Sequence, residues 1–220
     1  MVLSLLGGAI AVPVLRATAG RENLPGPRRI RPPGALAEND FLARCIKCGQ
    51  CMKACPTNAL QPAVWEAGVE GWWSPVLVAR IGYCEYACTL CGQVCPTGAI
   101  RKLTVAEKVG RPPEKEPVRI GSAAFDYGRC LPWAYDTTCI VCEEVCPTSP
   151  KAIFFKLETV KARDGSERTL KRPYVDLSLC TGCGICETRC PVFDRAAIRC
   201  SSVGETRSPK NRIIMSGGRV

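Results

Sequence analysis

The pattern C-x2-C-x3-C-P occurs four times in this chain, each time a few residues after one further cysteine. The first copy reads CIKCGQCMKACP and the fourth reads CTGCGICETRCP, with two residues after the leading cysteine; that gap is three residues in the second copy and eight in the third. The copies use 16 of the 17 cysteines. These are Cys45, Cys48, Cys51, Cys55, Cys84, Cys88, Cys91, Cys95, Cys130, Cys139, Cys142, Cys146, Cys180, Cys183, Cys186 and Cys190. Any fold of this chain must bring these thiols together in groups.

Three kinds of chemistry use cysteines at this density. Disulfides are typical of small secreted scaffolds, and cysteines three residues apart rarely bridge each other without strain. Zinc favours two C-x2-C pairs separated by a longer loop. An iron–sulfur cubane is larger, and a C-x2-C-x2-C loop wraps around it while a fourth cysteine, followed by proline, binds a second cluster, as in bacterial two-cluster ferredoxins. The repeat favours this last chemistry, so we predict four [4Fe–4S] clusters in two pairs, with the sixteen cysteines as iron ligands.

The third copy, CLPWAYDTTCIVCEEVCP, is irregular. Its leading cysteine, Cys130, is separated from Cys139 by a gap that requires a loop to bulge outwards. One interpretation is that this cluster has been lost, or that Cys130 is a buried bystander. Because the other three cysteines keep their spacing, we expect the cluster to be retained.

The net charge of the chain depends on whether clusters are bound. The formal net charge of +10 suggests nucleic acid or anionic lipid as a partner. Sixteen thiolates and four oxidised cores of charge +2 would lower that value to about +2, so the basic excess mostly offsets the clusters. The chain has no histidine, which excludes Rieske centres, histidine-ligated haem and a histidine general base.

The segments around the motifs predict an α+β fold. YVDLSLC and AFDYGRC resemble strands that enter a cysteine loop, and PTNAL, PTGAI, PTSPKAI and PVFDRAAI each resemble a turn followed by a strand. Asp164-Gly165 predicts a β-hairpin between the third and fourth motifs. We therefore expect two ferredoxin-like two-cluster modules with long loops and a core organised by the clusters, which should not fold without them.

Four regions follow from composition. Residues 1–20 begin with the apolar run MVLSLLGGAIAVPVL, which as a helix spans about 22 Å, short of a bilayer core of roughly 30 Å. It resembles an export signal, although an uncleaved anchor or a buried N-terminal helix are alternatives. Residues 21–40 form a basic, proline-rich arm whose arginines should be solvated, with anionic lipid or an acidic partner as the alternative contact. Residues 41–200 hold the four-cluster domain, and 201–220 form a tail that is mobile or bound along a partner. The motifs within the domain occupy residues 45–56, 84–96, 130–147 and 180–191.

Two shorter segments connect or precede the motifs. Asn39 or Asp40 is expected to cap a short helix that leads into Cys45. Residues 103–120 are polar and charged and contain Pro112-Pro113, so they predict a surface excursion.

Four other side chains could contribute to function. Trp65, Trp72 and Trp73 would pack over the second cluster or form a docking face for a partner. Cys200 follows the sequence AAIR and is expected to be a buried thiol rather than a replacement ligand.

Residues RPPGALAENDFLARCIKCGQC, the irregular third motif and CTGCGICETRC…AAIR together resemble the MauM/NapG-type ferredoxins over roughly residues 31–200. The resemblance implies a four-cluster polyferredoxin that accompanies periplasmic nitrate reductase or methylamine dehydrogenase systems. It also implies export in the folded state and a quinol-oxidising partner in the membrane. The family is related to the four-cluster subunits of molybdopterin oxidoreductases.

Two pairings of the motifs are possible. Adjacent pairing joins the first motif with the second and the third with the fourth, whereas nested pairing joins the first with the fourth and the second with the third. We expect nested pairing, as in the related four-cluster subunits, because the two regular motifs are the outer ones. The predicted ligand sets are then Cys45, Cys48, Cys51 with Cys190; Cys180, Cys183, Cys186 with Cys55; Cys84, Cys88, Cys91 with Cys146; and Cys130, Cys139, Cys142 with Cys95.

The motifs predict an electron-transfer subunit that is not itself an enzyme. Every motif has four thiols, so no iron is left open for a substrate, and no flavin or nucleotide motif is present. The alternatives are a reductase with its own substrate site and a protein in which the clusters only stabilise the fold. We expect a membrane-associated hetero-oligomer, without nucleic acid, that links a quinone-reactive or cytochrome subunit to a redox enzyme. Its expected location is the outer, periplasmic face of the cytoplasmic membrane; arginines after a simple anchor would instead favour the cytoplasmic face.

Overall fold

The computed structural model describes residues 29–110, 115–161, 165–208 and 210–211. The predicted signal or anchor at residues 1–20 lies outside the described residues, as does the end of the predicted tail. Across the described ranges, no helix combines the length and the apolar character that crossing a bilayer requires.

The first two motifs belong to one module of short elements. Its helices and strands are α1 (Glu38–Arg44), α2 (Gln50–Lys53), β1 (Leu60–Pro62), β2 (Pro75–Leu77), α3 (Leu90–Gln93) and α4 (Val105–Val109). Strands β1 and β2 pair antiparallel, with Leu60 opposite Leu77. This hairpin lies between the two motifs in the sequence, and it turns the chain back so that α3 packs against α2.

The third and fourth motifs belong to a second module of similar design. Its elements are β3 (Ser122–Phe125), α5 (Leu131–Ala134), α6 (Val141–Glu144), β4 (Ile153–Lys161), β5 (Glu167–Val175), α7 (Ile185–Arg189) and β6 (Ile198–Ser201). Strands β4 and β5 form the predicted hairpin, with Ile153 opposite Val175, and β3 pairs antiparallel with β6. The expected α+β content and the hairpin are confirmed.

Each module has a small apolar core in which cysteines take part. In the first module, Phe41, Leu77 and Ile100 pack with Cys51 and Cys91. In the second module, Ile153 and Ile198 pack with Cys142 and Cys186. Few large side chains fill these cores, so the thiols lie where a larger protein would place leucine or phenylalanine.

The prediction of a solvated arginine arm is wrong at its C-terminal end. Arg29 and Arg31 are buried, with 5% and 1% of their surfaces exposed. Arg31 donates to Glu38 Oε1 at 2.6 Å and to the carbonyl of Pro75 at 2.8 Å, and its guanidinium lies over the ring of Phe41. A buried guanidinium must be paired, and the carboxylate on α1 provides the pair.

The predicted helix before Cys45 is present as α1. The prediction that Asn39 or Asp40 caps it is wrong, because Ala37 is the N-cap and no side chain caps the helix.

Two segments predicted to be peripheral pack onto the modules. The start of the tail folds back: Thr206 N donates to the carbonyl of Arg119, and Arg207 Nη1 donates to Glu38 at 2.8 Å. The described residues of 103–120 include α4, whose Lys108 is buried. This helix lies at the surface as predicted, with Val105 exposed, and only Lys108 on it is buried. The described residues of the tail, 201–208 and 210–211, lie against their own chain.

Candidate iron–sulfur centres

Each motif builds the same local structure. Its third cysteine lies in a one-turn or slightly longer helix and is buried, while the cysteines on either side lie in the flanking loops. The third cysteines are Cys51, Cys91, Cys142 and Cys186. The proline after the fourth cysteine disfavours further helix, so the chain leaves each motif in a turn and enters the next extended segment.

The first site consists of Cys45, Cys48, Cys51 and Cys95. All four thiols line one cavity, closed by Phe41, Pro75 and Ile100. Burial raises the pKa of Cys51 to about 11, and the neighbouring thiols of this site add to the rise. The fourth thiol therefore comes from the second motif.

The second site consists of Cys84, Cys88, Cys91 and Cys55. These thiols also line a single cavity, together with Leu60, Leu77 and Leu90. Burial raises the pKa of Cys91 to about 12, with a further contribution from Cys84. The exchange of fourth cysteines between the first two motifs is thus reciprocal.

The third site consists of Cys130, Cys139, Cys142 and Cys190. Helix α5 fills the long gap of this motif, and Trp133 on it donates from Nε1 to the carbonyl of Pro173 on the hairpin. Cys130 is buried, and burial followed by the neighbouring Cys139 raises its pKa to about 12, with Cys190 contributing as well. Cys130 therefore faces its motif partners rather than lying apart from them.

The fourth site consists of Cys180, Cys183, Cys186 and Cys146. Burial raises the pKa of Cys180 to about 11, and the thiols of Cys186 and Cys146 contribute to the rise. Burial likewise raises the pKa of Cys183 to about 12. The structure thus brings all sixteen predicted cysteines into four sets of four.

The nested pairing is wrong, because every fourth cysteine lies in the set of the adjacent motif. The physical reason is the route of the chain. Hairpin β1–β2 returns the second motif to the first, and hairpin β4–β5 returns the fourth motif to the third, where α7 packs on α6. Regularity of spacing within a motif carries no information about which motif lies beside it.

These sets fit a four-iron cluster by the chemistry of their donors. In the first and second sites the four thiols surround a cavity, as ligands of a group larger than a single ion would.

The fourth cysteines are held by hydrogen bonds to sulfur. Ile100 N donates to Cys95 Sγ at 3.4 Å, and Ala197 N donates to Cys190 Sγ at 3.3 Å. Burial acts to raise the pKa of Cys55 and Cys95, but hydrogen bonds from the threonine and backbone N–H groups that follow outweigh it, so both pKa values are lowered. Such donors favour the thiolate, which is the form of cysteine that binds iron.

One residue at the second site was missed by sequence reasoning. Lys108 on α4 donates from Nζ to Cys84 Sγ at 3.2 Å. Burial raises the pKa of Cys84, and the charge and hydrogen bond of Lys108 oppose that rise. The available signal was the T-x-x-E pattern of Thr104 and Glu107, which forms a capping box and begins the helix.

The two modules meet at the second and fourth sites. Cys84 N donates to the carbonyl oxygen of Cys183 at 2.7 Å. Nearby, Arg80 donates to the carbonyls of Glu187 and Val192, at 3.0 and 3.1 Å, and Thr188 Oγ1 donates to the carbonyl of Ala79. A guanidinium at the C-terminal end of α7 satisfies carbonyls that the helix leaves free.

The tryptophans and the seventeenth cysteine lie outside the four sets. Trp65, Trp72 and Trp73 are exposed, and Trp65 stacks on Trp72. The prediction that they pack over the second cluster is therefore wrong, because apolar side chains of the hairpin and α3 line that cavity. Cys200 lies on β6 and packs against the core that contains Cys186, whose pKa its thiol helps to raise. That Cys200 is not a ligand stays a prediction.

Comparisons with known proteins agree with this architecture. The model of the 4Fe–4S dicluster domain matches residues 44–99, which hold the first two motifs, and residues 137–193, which hold the fourth motif and the third motif without Cys130. The chain is 38% identical to the methylamine utilization ferredoxin-type protein MauM of Methylorubrum extorquens over 176 residues, covering 78% of this chain and 72% of that protein. It is 34% identical to the ferredoxin-type protein NapG of Escherichia coli over 200 residues, covering 90% of this chain and 81% of that protein. No solved structure matches the chain.

The fold and the thiol sets thus define an iron–sulfur protein with two dicluster modules. The chain belongs to the MauM/NapG-type ferredoxins, which are electron-transfer proteins and not catalytic enzymes.

Proposed function

We propose that this chain relays electrons through four [4Fe–4S] clusters, in the order first, second, fourth and third site. A [4Fe–4S] cluster supplies one-electron transfer when bound. The sixteen cysteines would hold the clusters, and the apolar cores would exclude water from them. The bond from Cys84 N to the Cys183 carbonyl carries the proposal, since it supports a short path between the second and fourth sites. The first and third sites would then be the two ends.

The relay is tested by counting and titrating the clusters. Iron and acid-labile sulfide analysis of the anaerobically purified protein should show four clusters per chain. An EPR-monitored redox titration should then show signals that broaden as neighbouring clusters become reduced together. Fewer than four clusters, or four magnetically isolated ones, would contradict the relay.

The partners we propose are a quinone-reactive or cytochrome subunit in the membrane at one end and a redox enzyme at the other. The names of the relatives associate them with methylamine utilization, and those proteins are similar over most of the chain. Exposed Trp65 and Trp73 provide apolar surface of the kind that is buried at interfaces. Purification in mild detergent should yield a complex, whereas a soluble monomer that is fully redox-active without lipid or partner would contradict the subunit role.

We further propose that the protein works on the outer, periplasmic face of the cytoplasmic membrane. The apolar run at the start of the sequence and the resemblance to exported ferredoxins support this location. Protease added to intact spheroplasts should digest the protein. Full protection, with digestion only after lysis, would place it on the cytoplasmic face.

A further inference from the structure

Lys108 is a buried lysine that points at the second site. Only 7% of its surface is exposed. Its Nζ donates to Cys84 Sγ at 3.2 Å, to the carbonyl of Glu85 at 2.5 Å and to the carbonyl of Cys88 at 2.6 Å. Three ammonium protons therefore meet three acceptors, and all three acceptors belong to the loop that carries the cysteines of this site.

The surrounding structure holds Lys108 in this position. The capping box fixes the start of α4, with Glu107 N donating to Thr104 Oγ1 at 3.1 Å and Thr104 N donating to Glu107 Oε2 at 2.8 Å. Val118 N then donates to the carbonyl of Lys108 itself. A long side chain loses considerable freedom when it is fixed in this way, so the interaction that it makes must offset that cost.

The charge of Lys108 has few ways of being compensated at this site. Two of its acceptors are neutral carbonyls, and the third is the sulfur of a predicted iron ligand. Burying a cation is costly unless negative charge lies nearby. A thiolate ligand and the electron that a cluster takes up provide that charge. Among the described residues, Lys108 is the only lysine or arginine whose side chain hydrogen-bonds a cysteine sulfur.

We propose that Lys108 raises the reduction potential of the cluster at the second site. The ammonium stabilises the reduced state more than the oxidised state, because the added electron is delocalised over the cluster and its sulfur ligands. The second site is also the one whose Cys84 contacts Cys183 of the other module. Lys108 therefore stabilises an added electron on the cluster at the second site, which lies where the two modules meet and between the two ends of the proposed relay.

The test compares the redox potentials of four variants with that of the wild type. Lys108→Met removes the charge and the hydrogen bonds, Lys108→Gln keeps a donor without the charge, and Lys108→Arg keeps the charge. Lys151→Met is the matched control, because Lys151 Nζ also donates to a backbone carbonyl, that of Glu143, but makes no bond to sulfur. In an EPR-monitored titration, one midpoint potential should fall in both neutral variants and be largely retained in Lys108→Arg and Lys151→Met. The shifted signal should be the one that Cys88→Ala abolishes.

The inference rests on the proposed relay, and the two can fail separately. Iron and sulfide analysis of the wild type is the first measurement. Fewer than four clusters would contradict the relay, and absence of the cluster that depends on Cys88 would overturn the role of Lys108 as well. If that cluster is present, unchanged midpoint potentials in Lys108→Met and Lys108→Gln would overturn the inference alone. Loss of that cluster from both neutral variants, with retention in Lys108→Arg, would also overturn it and assign Lys108 a structural role.

Discussion

Cys84 N donates to the carbonyl oxygen of Cys183 at 2.7 Å, and this bond joins a cysteine loop of one dicluster module to a cysteine loop of the other. It places the second site beside the fourth. Gly182, the residue before Cys183, packs against the backbone of Gly121 just ahead of β3, so the Cys183 loop is held within its own module next to this bond. The cysteine loops therefore take part in the contact between the modules, together with the hydrogen bonds of Arg80 and Thr188.

The junction should be sensitive to a side chain at Gly182. This residue has a φ of +72°, and a Cβ there would lie 2.5 Å from the carbonyl carbon of Gly121. Gly182→Ala should therefore displace the Cys183 loop and weaken the spin coupling between the second and fourth clusters in the EPR spectrum of the reduced protein. The control is Gly165→Ala, since Gly165 lies between β4 and β5 with a φ of +86° and, apart from its chain neighbours, no atom within 4 Å of its Cβ position. It should cost about 1–2 kcal/mol of backbone strain and leave the coupling unchanged. Equal coupling in both variants would contradict this account.

Adjacent pairing can be tested by combining cysteine substitutions. Cys48→Ala should alter the EPR signal of one cluster. Adding Cys95→Ala should alter no second cluster, because both thiols belong to the first site. Adding Cys190→Ala instead should alter a second cluster, since Cys190 lies in the third site. Nested pairing predicts the opposite result for the two double variants.

Thr148 should raise the potential of the cluster at the fourth site. Its Oγ1 accepts from Ala152 N at 2.8 Å and lies 3.3 Å from Cys146 Sγ, so its proton is available for the sulfur. Hydrogen bonds to cluster sulfurs raise the potential. Thr148→Val should lower one midpoint by a few tens of millivolts, and Thr148→Ser should restore it.

The third site provides a reciprocal control for this effect. Val192 follows Cys190 at the position that Thr148 takes after Cys146, and it has no hydroxyl. Val192→Thr should therefore raise the midpoint of a different cluster. If neither substitution moves a potential, the hydroxyl does not influence the clusters.

Glu38 should stabilise the first module. Burial acts to raise the pKa of Glu38, but the hydrogen bond and charge of Arg31, with further contributions from Arg207 and Arg29, lower it to about 2. Glu38→Gln leaves a buried guanidinium without its carboxylate and should cost about 3 kcal/mol. Guanidinium-induced loss of the visible cluster absorbance, measured anaerobically, would report the change. Glu116→Gln, at an exposed pair with Arg119, is the control and should cost less than about 1 kcal/mol.

The contribution of Glu38 should also depend on pH. Since its folded-state pKa is below the unfolded value of about 4.3, the contribution is complete above about pH 5 and is lost as the pH falls towards 2. The stability difference between the wild type and Glu38→Gln should therefore be constant from pH 6 to 8 and smaller at the lowest pH at which the clusters survive. A difference that grows on acidification would contradict the ion pairs described for Glu38.

Cys200 should be dispensable for cluster binding. Its sulfur contacts Cys186, but the fourth site already has four thiols without it. Cys200→Ala should keep the iron and sulfide content of the wild type. Loss of one cluster in this variant would make Cys200 a ligand.

The amino-acid sequence by itself determined the local chemistry of this protein. The grouping of the thiols into four motifs and the hairpin β4–β5 follow from spacings of a few residues, because such spacings restrict the backbone directly. The sixteen cysteines that form the four sets could all be named in advance. Their division into sets could not, because the same four motifs are compatible with adjacent and with nested pairing.

Only the tertiary structure decided the contacts between distant residues. Cys55 meets the cysteines of the second motif because β1–β2 turns the chain back, and Lys108 reaches Cys84 across 24 residues of sequence. Arg207 and Glu38 are 169 residues apart, and their pairing buries segments that composition alone assigns to solvent. Contacts of this kind leave no periodic pattern in the sequence, since they depend on how two separately formed pieces of chain pack against each other.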